Sequence, residues 1–147
     1  MYILHENEVK RNIKKLDRAW ETPETFIFLP ERSGLSSDWL ERAIKHLPDS
    51  VGKGHFVLLT SGSTGRPKLV VGLRIRAENL ASTLHKSQNS EAVRKTVVIL
   101  PLTYCYAFVN QWLWARINGR ELVLTDGFGK PDHVHTALVH AKDSMVC

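Results

Sequence analysis

The run His55-Phe56-Val57-Leu58-Leu59-Thr60 is continuous, apolar and bounded by turn residues, the pattern of a β-strand covered on both faces. It opens directly into a glycine- and hydroxyl-rich loop, so the chain must build layers on a sheet and still deliver that loop at a strand end. Thr96-Val97-Val98-Ile99-Leu100, stopped by Pro101, and Glu121-Leu122-Val123-Leu124-Thr125 repeat the buried-strand pattern. Leu69-Val70-Val71 can form another strand. Ala77, Leu80, Ala81 and Leu84 mark one face of a helix over about 75–88, and Tyr106 to Asn118 reads as a largely apolar helix closed by Gly119. The alternation of strand and helix with short connections predicts βαβ units in a layered α/β fold.

Upstream, Val9, Ile13, Leu16 and Trp20 recur at helical spacing, which predicts an amphipathic helix over 6–20 closed by Pro23. Phe26-Ile27-Phe28-Leu29 reads as a short strand. Ser36-Ser37-Asp38 precedes a stripe of Trp39, Leu40, Ala43, Ile44 and Leu47, the signature of a capped helix stopped by Pro48, with Gly52-Lys53-Gly54 as its exit turn. A chain of 147 residues buries roughly 70% of the surface it exposes when unfolded, so one core needs no metal or disulfide. Its two cysteines, Cys105 and Cys147, form neither a disulfide framework nor a zinc motif. The N-terminus turns acidic at Glu6 before any signal-like apolar run develops, and a cytoplasmic location is expected. The apolar stretch 97–117 is expected to be a buried strand and helix. A membrane span would place Asn110, Gln111 and Arg116 in hydrocarbon.

The net charge of +5 is concentrated. Arg66, Lys68, Arg74, Arg76, Lys86, Arg94 and Lys95 face only Glu78 and Glu91 within 66–95, whereas the flanking segments cancel. Such a field favours an anionic partner. In the loop Thr60-Ser61-Gly62-Ser63-Thr64-Gly65-Arg66-Pro67-Lys68, the glycines allow successive N–H groups to converge on an anion. Ser61, Ser63 and Thr64 add hydroxyl donors, Lys68 brings a mobile point charge, and Arg66 offers a second cation. The order differs from the common nucleotide loop G-x-x-x-x-G-K-[ST], because Leu69 follows Lys68.

These nine residues resemble, in type and order, the signature loop of the adenylate-forming superfamily: acyl-CoA synthetases, aryl-acid ligases and peptide-synthetase adenylation domains. Pro101-Leu102-Thr103-Tyr104-Cys105-Tyr106-Ala107 is similar to the family's Pro-Leu-x-His-x-x-Gly segment. Gly119 to Leu124 fits its next glycine-to-strand step, so the resemblance covers about 55–127. It implies ATP with Mg2+ as the nucleotide, a carboxylic acid as substrate, and CoA or a phosphopantetheine carrier as acceptor. Thr60 to Lys68 would hold the β and γ phosphates, with Lys68 stabilising charge on departing pyrophosphate, and Tyr104 would stand beside the acyl pocket.

The sequence departs from the family at Leu69, at Leu73 and Arg74 where a Ser/Thr-His pair is usual, and at Ala107. It also lacks an aromatic-Gly-x-Thr-Glu motif for adenine, a Thr-Gly-Asp for ribose and the family's adenylation lysine. The resemblance therefore implies part of an N-terminal domain: a helical lead-in over 1–53, a phosphate-loop core over 54–127 and an incomplete element over 128–147. The chain would be an excerpt, a truncated frame or one part of a split enzyme, with the remainder as a possible partner, and is not expected to adenylate a substrate alone. A non-catalytic phosphate-binding remnant is the alternative.

Other features take ordinary readings. Tyr104, Tyr106, Trp112 and Trp114 suit core packing. His133, His135 and His140 follow no metal-ligand spacing, and Lys10, Arg11, Lys14, Lys15 and Arg18 form a solvated helix face. A nucleic-acid module would need Arg74, Arg76, Lys86, Arg94 and Lys95 on one surface, and no nucleic-acid motif accompanies them.

Overall fold

A computed structural model describes residues 1–31, 34–60, 67–139 and 143–146. The fold is mixed α/β, as the alternation predicts, and divides into two compact units, Met1–Arg74 and Ile75–Cys147.

The first unit is built on a four-stranded sheet in the order β1-β2-β3-β4, with β1 at Tyr2–His5, β2 at Phe26–Leu29, β3 at His55–Thr60 and β4 at Lys68–Leu73. β1, β2 and β3 are parallel, and β4 turns back antiparallel on β3. Because successive residues point to opposite faces, the fully buried run of β2 and the buried Phe56, Val57 and Leu58 of β3 require cover on both sides. One cover is α3 (Ser37–Lys45) and its exit, whose Leu40, Ile44 and Leu47 pack on Ile27, Leu29 and Val57. Ser36 caps this helix as its sequence predicts, accepting the Trp39 N–H at 3.2 Å. On the other face, Trp20 lies against the rings of Phe26 and Phe56, with centroids 6.4 and 5.5 Å away.

The single helix predicted over 6–20 is two, α1 (Glu6–Arg11) and α2 (Lys14–Glu21). Asn12 breaks it: the residue is extended, and its side-chain oxygen accepts the Lys14 N–H at 3.1 Å, so the amide competes with the helical ladder.

The second unit holds a three-stranded parallel sheet in the order β6-β5-β7, from β5 (Lys95–Val98), β6 (Glu121–Leu124) and β7 (Ser144–Val146). β5 is central and buried from Thr96 onward. β6 is only half-buried, unlike the buried strand predicted there, because it lies at an edge of the sheet. Helix α4 (Arg74–Ser87) leads into this unit with Ala77 and Ala81 buried, but Leu80, expected on that face, is 49% exposed. Between β5 and β6 runs a π-helix, Ala107–Leu113, continuing as the short α5 (Trp114–Ile117). Residues 107–109 and 111–115 are buried, leaving no apolar stripe from which the wider helical period could be read. Gln111 ties this helix to the sheet, its Nε2 donating to Thr96 Oγ1 at 3.1 Å and to the Val97 carbonyl at 2.9 Å. Beyond β6, Gly127 takes φ +65, and a Cβ there would meet the Ile99 carbonyl oxygen at 2.8 Å, so only glycine suits the turn into α6 (Pro131–Val139). Among the described residues no helix is long and apolar enough to cross a membrane.

Candidate functional site

Antiparallel pairing of β3 with β4 runs over their full length, from His55 opposite Leu73 to Thr60 opposite Lys68. Thr60 and Lys68 are therefore cross-strand partners on one face of the sheet, a hydroxyl and an exposed ammonium at the mouth of the connecting loop. Pro67 leads into Lys68. The predicted donors Ser61, Gly62, Ser63, Thr64, Gly65 and Arg66 lie outside the described residues.

β4 is an edge strand with exposed Lys68, Val70 and Val71, so beyond its pairing with β3 its position depends on Leu69, packed on the Ile27, Leu29 and Val57 core, and on two contacts of the opposite face and the strand end. Gly72 is one of them. A Cβ at Gly72 would overlap Cζ and Cε1 of Phe56 and lie 2.8 Å from Cε2, so the ring occupies the space a side chain would need. The open end of the hairpin is fastened by Arg74, which is 8% exposed. Its guanidinium donates to the carbonyls of Trp20, Thr22 and Glu24 and lies over the rings of Trp20 and Phe26 at 5.6 and 5.3 Å. The Arg74 N–H also donates to the Gly54 carbonyl at 3.0 Å. A charge run reads as surface in sequence; this member of it is interior, because the end of α2 and the turn into β2 present carbonyls that a planar guanidinium can satisfy together.

Tyr104 belongs to the second unit, in the turn that follows β5. It is 54% exposed, its N–H bonds the Pro101 carbonyl at 3.0 Å, and its carbonyl accepts from Phe108, starting the π-helix. Trp112 and Trp114 fill the core as expected, whereas Tyr104 and Tyr106 do not. The two tyrosines precede the helix and stand at 54% and 48% exposure, leaving Leu102 and Thr103 to enter the interior. Cys105 is a free, exposed thiol.

A further grouping is Asp126, whose Oδ2 lies 3.2 Å from Lys130 Nζ and 2.8 Å from His133 Nδ1. Lys130, and secondarily His133, hold the Asp126 carboxyl below the usual aspartate range. The Asp126 and Lys130 spacing of four was the signal available in sequence. His140 lies outside the described residues, and among those described no group of three or more His, Cys, Asp or Glu is arranged to hold a metal ion.

No curated protein matches the chain at a significant level. Solved structures do. o-Succinylbenzoate-CoA synthetase from Bacillus subtilis, in complex with its acyl-adenylate intermediate, superposes with TM-score 0.62 at 16% identity, over 99% of this chain and 47% of that one. The same enzyme in complex with AMP gives TM-score 0.50 at 19% identity, over 78% of this chain and 34% of that one. The amide bond synthetase McbA from Marinactinospora thermotolerans gives TM-score 0.50 at 18% identity, over 99% and 38%. At these identities the likeness is one of fold, and the chain spans less than half of each relative's length. The family described as AMP-binding enzyme matches from residue 3 to residue 145, through the hairpin that carries Thr60 and Lys68 and through both units, and the chain belongs to that family.

Proposed function

We propose that this chain supplies the pyrophosphate-binding loop of an ATP-dependent acid ligase, which activates a carboxylate as an acyl-adenylate for transfer to the thiol of CoA or of a phosphopantetheine carrier. The observation that carries the reading is the Thr60–Lys68 pair, a hydroxyl and a cation at the mouth of the glycine-rich loop in a chain of the AMP-binding family. In the reaction a carboxylate oxygen bonds to the α phosphorus. The bond from that phosphorus to the bridging oxygen breaks, and pyrophosphate leaves with the electron pair. Lys68, Arg66 and the hydroxyls of Thr60, Ser61, Ser63 and Thr64 bind the departing phosphates, with the backbone N–H groups at Gly62 and Gly65 completing the cradle. Their contribution is electrostatic, and no proton moves through them. Tyr104 stands beside the acyl group in this reading.

Mg2+ would accompany the phosphates of ATP, and no step is assigned to it. The adenine, ribose and adenylating-lysine motifs come from residues outside this sequence, in the same enzyme or a separate chain, and the 147 residues form part of a cytoplasmic N-terminal domain that does not adenylate alone. The departures at Leu69, Leu73, Arg74 and Ala107 mark a divergent branch, and the lack of the adenine, ribose and lysine motifs favours a phosphate-binding remnant as the second reading. A nucleic-acid surface is disfavoured, because Arg74 is buried against three carbonyls.

Calorimetric titration of the chain with pyrophosphate, and separately with duplex DNA at two salt concentrations, tests this. Saturable one-to-one pyrophosphate binding is expected. No pyrophosphate binding, or DNA binding that falls steeply with salt, would contradict it.

A further inference from the structure

We infer that Arg74 is a positioning residue for the phosphate loop, fixing the register of β4 and through it the place of Lys68 opposite Thr60. This rests on the proposed phosphate-binding role of the loop. β4 reads Lys68-Leu69-Val70-Val71-Gly72-Leu73, apolar on both faces, with hydrogen bonding to one neighbour only. An edge strand with no polar and apolar alternation, and with a glycine inside it, specifies its register weakly. A slip by one residue would carry Lys68 about 3.4 Å along the strand and turn its side chain to the other face, away from the position paired with Thr60.

Leu69 packs on the Ile27, Leu29 and Val57 core and would leave it in such a slip, and two further features oppose it. Gly72 lies under the Phe56 ring, where any other residue of β4 would clash. Arg74, immediately after the strand, is the stronger lock because it is anchored outside the hairpin. Its guanidinium spans the carbonyls of Trp20, Thr22 and Glu24 and lies against both the Trp20 and Phe26 rings, while its own N–H is held by the Gly54 carbonyl just before β3. That end of β3 is itself tied to β2, since Thr25 accepts the His55 N–H and donates to the Val51 carbonyl. Shifting β4 by one residue therefore withdraws a cation from three carbonyls at once.

The test compares Arg74→Met and Arg74→Lys in the full chain, with pyrophosphate affinity and amide exchange along β4 as readouts, at a temperature where circular dichroism shows each variant folded. Both variants are expected to bind pyrophosphate weaker by about tenfold or more, with exchange accelerated from Leu73 through Lys68. Lysine is not expected to rescue, because its single nitrogen on a shorter stem does not reproduce the two guanidinium nitrogens that reach Trp20 and Thr22 on one side and Glu24 on the other, and this variant keeps the charge and so separates geometry from electrostatics. Wild-type affinity and wild-type protection of β4 in a folded variant would overturn the inference; a role confined to stability would lower the unfolding midpoint and leave affinity unchanged. If Arg74→Met does not fold, Arg74→Lys carries both readouts. If the wild-type chain binds no pyrophosphate, the phosphate reading falls by itself, and exchange along β4 still decides whether Arg74 holds the register.

Discussion

Replacing Gly72 by alanine puts the packing of the loop-bearing hairpin to a test in which two effects have opposite signs. Gly72 is not among the residues with positive φ, so alanine is compatible with its backbone and, by narrowing the unfolded ensemble, would stabilise by about 0.4–1 kcal/mol in open space. The space is not open. The new methyl would overlap the Phe56 ring, which is only 4% exposed and packs against Trp20, so it has no solvent side to which it can swing. Overpacking costs about 1–3 kcal/mol, and an overlap this deep with a ring that cannot move belongs to the upper part of that range, about 2–3 kcal/mol, leaving a net destabilisation of about 1–2.6 kcal/mol. Urea unfolding followed by amide exchange in β3 would read this as a lower midpoint. The double variant Gly72→Ala/Phe56→Leu removes the ring edge that the methyl meets, so the two changes are expected to be non-additive, with the double variant more stable than their sum. A Gly72→Ala protein as stable as the wild type, or strict additivity with Phe56→Leu, would refute the close approach on which the reasoning stands.

Two further outcomes follow from local geometry. Ser36→Ala removes the acceptor for the Trp39 N–H and should lower stability of the first unit by about 1 kcal/mol in the same urea experiment, whereas Ser36→Asp, which restores an acceptor, should be close to neutral. Asp126 should titrate below the ordinary aspartate value in a carbon-detected NMR titration, and Lys130→Ala should bring it back toward that value; because the folded carboxyl is the more acidic, its ion pair with Lys130 contributes at neutral pH and is lost as pH falls through the lowered pKa.

The parts of the fold legible in sequence are those carried by local chemistry. β2 and β3 are continuous apolar runs bounded by turn residues, and the start of α3 is written in Ser36-Ser37-Asp38, so each is found where its residues predict. β1 was not visible, because Tyr2-Ile3-Leu4 is too short to show a period and becomes a strand only through pairing with β2. The antiparallel direction of β4 was equally hidden: Leu69-Val70-Val71 looks the same in either orientation, and the glycine-rich loop is as compatible with a crossover as with a hairpin. Arg74 carried no signal of burial, since the carbonyls that receive it come from residues 20–24 and meet it only in the folded unit. Nor does any linker composition mark the division after Arg74, which falls at the start of a helix. For the site itself, residue types named the loop and its cation. The structure adds that Thr60 and Lys68 are paired across the hairpin mouth and that Tyr104 is exposed in the second unit.

The central claim, that the loop closed by Thr60 and Lys68 binds the phosphates of ATP, is met most directly by titrating the wild-type chain and Lys68→Ala with pyrophosphate in parallel. Lys68 is exposed at the end of an edge strand, so its truncation is expected to leave the fold intact and to weaken binding by about tenfold or more, the loss of a charge-assisted contact worth about 1.5–3 kcal/mol. Equal affinity in the two proteins would contradict the account.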